Sequence, residues 1–157
     1  MHINEEYLEE LAFLEMEEIK DVLNTLLSNC GFSYEIECRI KSLDKIHQKQ
    51  ALYKEMNAPS TLNDIPDIIG FRISVDNEEE IIRIYELINR FFNPIRVIDF
   101  FNSPKQTGYK AFNCFYDNWA FPTEIQIMTK EMREWTNATH EEHNKRKYGD
   151  ILVRNKA

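Results

Sequence analysis

Residues 68–75, Ile-Ile-Gly-Phe-Arg-Ile-Ser-Val, restrict the fold more than any other segment of the chain. An eight-residue apolar run with a glycine near its centre has the length and character of a buried strand. Such a strand needs neighbours to pair with and helices to cover it, and the flanking segments supply both. Asn77 opens a helical stretch over residues 78–92, with Ile81, Ile84, Tyr85, Ile88 and Phe92 on one stripe. In residues 5–28, Leu8, Leu11, Ala12, Ile19, Val22, Leu23 and Leu26 recur at helical spacing, and the acids opposite them form a solvated face. Cys30-Gly31 ends this helix, with Gly31 as its C-terminal cap.

Residues 33–40 alternate as a short strand. Ser42 caps a second helix running through Gln50 toward Met56, with Lys45 and Lys49 one turn apart, and Ala58-Pro59-Ser60 breaks it. Residues 95–101, 110–116 and 123–128 read as strands, the first two separated by a loop holding Pro104 and Gly108. The last helix runs from Lys130 to about Lys147. The order α-β-α-β-α-β-β-β-α predicts an α/β chain of the α+β kind: a mixed β-sheet of about five strands flanked by helices. At 157 residues it is expected to form a single domain, with an acidic helix at 5–28 and a core at about 33–148.

No apolar stretch approaches the roughly 18 residues of a membrane span, and the N-terminus lacks a basic-then-apolar signal pattern, so no membrane partner is expected. Cys30, Cys38 and Cys114 show no metal-type spacing and read as small core residues in a reducing cytoplasm. Trp119 and Trp135 also read as core. The net charge of −8 argues against broad nucleic-acid binding. Eight acids and one lysine between residues 5 and 21 supply most of that charge, so the remaining chain is near neutral and carries local basic clusters.

Three segments carry residues suited to phosphoryl transfer, which needs cations for phosphates, carboxylates for a divalent metal, and an acceptor held in line. Arg39 and Lys41 alternate onto one face of a strand, and Lys45 and Lys49 share a face of the next helix. Alone, this cluster reads as a solvated basic face; a phosphate grip at a strand-to-helix junction is the alternative. Asp67 stands at the mouth of the buried strand that contains Arg72, and both are costly to bury unless paired or functional. In an ideal strand these two point to opposite faces, which places Asp67 before the regular ladder. Finally, Glu124 and Gln126 share one face of residues 123–128, with Ile125 and Ile127 on the other. That polar face is either a solvent edge or the floor of a site. His140 and His143 read as helix-surface residues rather than a metal pair, and Lys145-Arg146-Lys147 as a solvated helix end offsetting the dipole.

Taken in order, these segments resemble the synthetase domain of the RelA/SpoT family over roughly residues 39–148. Arg39, Lys41 and Lys49 match its R-x-K-x-x-x-S-x-x-x-K stretch; Asp67, Gly70 and Arg72 match D-[IL]-x-G-x-R. Residues 99–109, Asp-Phe-Phe-Asn-Ser-Pro-Lys-Gln-Thr-Gly-Tyr, match D-[YF]-[IF]-x-x-P-K-x-N-G-Y. Residues 124–129 match E-[IV]-Q-I-R-T and are followed by a helix with Trp135 and His140. The resemblance implies a nucleotidyltransferase-like synthetase fold that moves the β,γ-diphosphate of ATP to a ribose 3′-hydroxyl of GTP or GDP, releasing AMP. It further implies that Arg39, Lys41, Lys49 and Arg72 bind the donor nucleotide. Asp67 and Glu124 would be the catalytic residues and hold Mg2+, with Glu124 also orienting or deprotonating the 3′-hydroxyl. Lys105, Tyr109, Asn113 and Gln126 would bind the acceptor, Tyr109 by stacking on its purine and Lys105 by meeting its 5′-phosphates.

The chain departs from the pattern at Lys45 in place of Ser, Met128 in place of Arg, and Thr107 in place of Asn; Ala111 and Asn113 stand where Ser and His are common. The donor and metal half is therefore expected to be largely intact and the acceptor half altered. Two alternatives follow: a toxin that pyrophosphorylates the 3′ end of tRNA, and an inactive nucleotide- or partner-binding module. Tetramerisation through further C-terminal helices is not carried over, no motif names an antitoxin partner, and no His-Asp pattern of an alarmone hydrolase precedes the core. A synthetase-only chain is expected.

Overall fold

The computed structural model describes residues 5–56 and 64–148. The break expected at Ala58-Pro59-Ser60 and the tail from Gly149 lie outside the described residues, as do the side chains of His140, His143 and Lys145-Arg146-Lys147. The elements run α1 (Glu5–Leu27), β1 (Tyr34–Ile40), α2 (Leu43–Glu55), β2 (Ile69–Val75), α3 (Glu78–Phe91), β3 (Arg96–Asp99), β4 (Phe112–Tyr116), β5 (Thr123–Thr129) and α4 (Lys130–Tyr148). The predicted order and the α+β class both hold.

The strands form one five-stranded sheet in the order β1-β2-β5-β4-β3. Among the described strands β2 and β5 pair in parallel and the other neighbours are antiparallel. β2 is therefore an interior strand, buried at six of its seven residues with Arg72 the exception. One face of the sheet presents Phe71, Ile73, Val75, Ile125, Ile127, Cys114 and Tyr116 to the core, where α1 and α3 cover it. α3 contributes Ile81, Ile84 and Ile88, each at most 1% exposed and each contributing roughly 1.5–3 kcal/mol relative to exposure. Its start is fixed by Asn77, whose Oδ1 accepts from the Glu80 N–H at 3.0 Å, and by three glutamates in its first turn.

On α1 the buried stripe is Ala12, Met16, Ile19, Leu23 and Leu27. Val22, expected inside, is 39% exposed because it sits a step off that stripe. One acid is not solvated surface: Glu15 accepts from the backbone N–H groups of Ala120 at 2.7 Å and Phe121 at 3.0 Å, tying α1 to the β4–β5 connection. Gly31 takes φ +88° just beyond α1, the left-handed backbone that favours glycine at a helix end. Trp119 packs against the core beside Phe92, as expected. Trp135 does not. It lies on the outer part of α4, 37% exposed, bordering a shallow hollow with Lys110 and Glu131.

β3 is shorter than the sequence predicts. The Asp99 carboxylate accepts from the N–H groups of Phe101 and Asn102 at 3.0 and 2.8 Å, an Asx-type turn that ends the ladder. β4 likewise begins at Phe112 rather than Lys110. The intervening loop closes on itself, the Lys105 N–H donating to the Tyr109 carbonyl and the Gly108 N–H to the Lys105 carbonyl.

Candidate active site

The sheet face away from α1 and α3 is polar, and register decides what meets there. Arg39 on β1 stands opposite Gly70 on β2, Gly70 opposite Glu124 on β5, and Glu124 opposite Phe115 on β4. The next row is Glu37, Arg72, Gln126 and Asn113. Side chains two residues apart on a strand share a face, so both rows open to the same side. With Lys41, Lys45, Asp67, Thr136 and Asn137, the β1, β2 and β5 members of these rows line a cleft of about 360 Å3, while Phe115 and Asn113 on β4 lie beyond its lining. The polar face of β5 is thus the floor of a site and not a solvent edge, since β5 lies between β2 and β4 and Glu124 is only 8% exposed.

Gly70 leaves room for the row. A Cβ there would meet Arg39 Cγ and Nε at 3.5 Å, so the absent side chain lets the guanidinium lie across the strand. It reaches Asp67, which occupies a turn just before β2, as the opposed facing of Asp67 and Arg72 required. The Asp67 carboxylate accepts from Arg39 Nη2 at 3.2 Å, Lys41 Nζ at 3.1 Å and Lys49 Nζ at 3.5 Å. The Lys41 backbone also extends the β1–β2 ladder through a 2.8 Å bond to the Ile68 carbonyl, which carries its side chain into the cleft wall.

Burial pushes the Asp67 carboxyl up, but Lys41, Lys49 and Arg39 outweigh it and hold the group below the usual carboxylate range. For Lys41 the balance differs: burial lowers its ammonium and Asp67 only partly restores it. Glu124 shifts the other way. Burial raises its carboxyl and the nearby negative charge of Asp67 raises it further, against Arg39, Gln126 and Lys41. Two carboxylates of unequal proton affinity therefore border one cleft.

Arg72 is held by amides: Nε donates to Gln126 Oε1 at 3.1 Å and Nη1 to Asn137 Oδ1 at 2.8 Å. Its Gln126 partner was expected to bind an acceptor; here its oxygen orients Arg72. Asn137 comes from α4, and nothing local in the sequence marks it, because its place over the cleft depends on how α4 packs. Tyr109, expected to stack on the acceptor's purine, is 8% exposed, packed with Ala111 and Met128 and edge-on to Phe100 at 5.5 Å. Its hydroxyl donates to Asn113 Oδ1 at 2.7 Å, and burial followed by the Glu124 charge raises the phenol. Lys105 is exposed on the loop, its Nζ above the rings of Phe100 at 4.6 Å and Tyr109 at 5.1 Å, outside the cleft lining.

The six expected residues Arg39, Lys41, Asp67, Arg72, Glu124 and Gln126 thus meet in one cleft, and Lys49 joins them through Asp67. Among the described residues no three metal-ligating side chains cluster. Two carboxylates beside a cationic wall still suit Mg2+, which takes one or two protein carboxylates and completes its shell with phosphate oxygens and water.

Together these features describe an α+β protein whose open sheet face carries a cleft of opposed charges. Residues 38–150 match the family described as the region found in RelA / SpoT proteins, and the chain belongs to that family. Over 114 residues it is 34% identical to an Arabidopsis thaliana protein named as a probable chloroplastic GTP diphosphokinase, RSH2, covering 70% of this chain and 15% of that protein. The chain spans only 15–18% of the length of the first curated relatives it matches. In fold it is similar to small alarmone synthetase 1 of Bacillus subtilis, solved with its product pppGpp (TM-score 0.72, 21% identity, 95% of this chain and 84% of that one). A GTP pyrophosphokinase family protein of Streptococcus pneumoniae is also similar (TM-score 0.74, 20% identity, 96% and 82%).

Proposed function

We propose that the chain is an ATP-dependent diphosphotransferase that places the β,γ-diphosphate of ATP on a ribose 3′-hydroxyl, with GTP or GDP as the acceptor. The observation that carries this reading is Glu124: a buried carboxylate with raised proton affinity, in register with Gly70 and Arg39 and one strand row from Arg72. A general base needs that raised affinity, and phosphate binding needs the cations around it. The family's diphosphokinases supply the reaction class.

In this reading Arg39, Lys41, Lys49 and Arg72 bind the donor phosphates and fix the β-phosphorus. Glu124 takes the proton from the 3′-hydroxyl as the oxygen attacks that phosphorus. The bond from the β-phosphorus to the α,β-bridging oxygen breaks, and AMP leaves with the electron pair. Asp67 and Glu124 would hold Mg2+, which when bound neutralises charge on the transferring phosphates. The three cations now on Asp67 turn to the nucleotide.

The test is AMP release from ATP with Mg2+, offering GDP, GTP, ATP and bulk tRNA as separate acceptors, with Glu124→Gln as control. AMP formed with a guanine nucleotide and lost in the control is the expected result. AMP formed only with tRNA moves the chain to the toxin reading. ATP binding without AMP in any arm leaves a binding module.

A further inference from the structure

The cleft cations fall into two kinds. Arg39, Lys41 and Lys49 all touch the Asp67 carboxylate, so their charge is matched within the protein. Among the described residues Arg72 donates to two amide oxygens, through Nε and Nη1. The carboxylates that act on Arg72 do so through space, Glu37 first and Glu124 more weakly, and Glu37 is shared with Arg133, 3.4 Å from its Nε. Arg133 also pairs with Glu35 and donates to Ser74 Oγ at 3.2 Å, which pins α4 to β1 and β2. Asn137 is one turn further along α4, on the same face, so the anchored helix delivers it over the sheet. Its carbonyl takes the shorter of the two Arg72 bonds, although Asn137 itself is exposed.

We propose that Asn137 is a positioning residue for the donor-phosphate grip: it orients the Arg72 guanidinium through a neutral acceptor, leaving the positive charge for an incoming polyphosphate. The inference rests on reading Arg72 as a phosphate ligand. A carboxylate at the same place would hold the guanidinium more strongly, by a charge-assisted bond, and would cancel the charge the site needs. A purely structural contact and a positioning contact therefore respond oppositely to Asn137→Asp.

The experiment titrates the full chain with the α,β-methylene analogue of ATP and Mg2+ by calorimetry, and follows thermal unfolding of the same samples. Asn137→Asp is expected to weaken the analogue about tenfold, the size of one lost charge-assisted hydrogen bond, while its Tm stays equal or rises. Asn137→Ala is expected to weaken it several-fold, and to add nothing further in an Arg72→Ala background. Parent-like affinity in both Asn137 variants, with Arg72→Ala still weakened, overturns the positioning role and keeps the phosphate reading. Loss of affinity in Asn137→Asp only in step with a fall in Tm overturns it as well. If Arg72→Ala binds like the parent, or the parent does not bind the analogue, the phosphate reading fails and the inference goes with it.

Discussion

Asp67→Ala tests the electrostatic logic of the cleft most directly. The carboxylate faces three cations, and removing it affects them unequally. The Arg39 and Lys49 side chains are 29% and 38% exposed and can turn to water, whereas Lys41 is 8% exposed and cannot. Stranding one buried charge costs about 3–5 kcal/mol. With two of the three partners resolvated, the lower end applies, so the variant should lose about 3 kcal/mol. For a chain of this length that is a fall in Tm of roughly 6–12 °C. Urea unfolding followed by circular dichroism measures it at pH 7. The companion Asp67→Ala/Lys41→Met replaces the pair with an apolar side chain, which is near neutral when the geometry allows, so most of the loss should return. Acid lability gives a second readout. The Asp67 carboxyl lies below its ordinary value in the folded chain, so its contribution is full above the unfolded carboxylate pKa of about 4 and is lost as pH falls through the lower folded value. The variant should lack that component. A double variant no more stable than Asp67→Ala alone would refute the idea that Asp67 stabilises the fold by compensating Lys41.

Three other outcomes are expected. Glu124→Gln should cut AMP release about 10²–10⁴-fold while thermal unfolding shows equal or higher stability, because the buried carboxyl has a raised pKa and costs the fold most when ionised above it. In the parent, the turnover rate should fall as pH drops through that raised value, and a pH–rate profile without such a limb would remove Glu124 as the base. Gly70→Ala should be tolerated, its Cβ in ordinary contact at 3.5 Å, whereas Gly70→Val should displace Arg39 and weaken nucleotide binding severalfold by calorimetry. Glu15→Ala should lower stability by about 1–2 kcal/mol in urea melts without changing nucleotide affinity, since it frees two backbone N–H groups outside the cleft lining.

Local chemistry determined much of this protein. Period-2 and period-3.6 patterns located every helix and strand to within a few residues, and side-chain capping at Ser42 and Asn77 placed two helix starts. Alternation put Glu124 with Gln126 and Arg39 with Lys41, and the opposed facing of Asp67 and Arg72 set Asp67 ahead of its strand. Those readings concern neighbours along the chain, whose relative directions the backbone dictates. The rest depended on which segments meet. Parallel pairing of β2 with β5, whose first residues Ile69 and Thr123 lie far apart in sequence, turned an ambiguous polar strand face into a cleft floor. Packing of the acceptor loop buried Tyr109, anchoring of α4 brought Asn137 to Arg72, and the β4–β5 connection gave Glu15 a structural partner. Val22 and Trp135 went outward for the same reason: apolar spacing marks a stripe, but only the packed neighbours decide which members are covered.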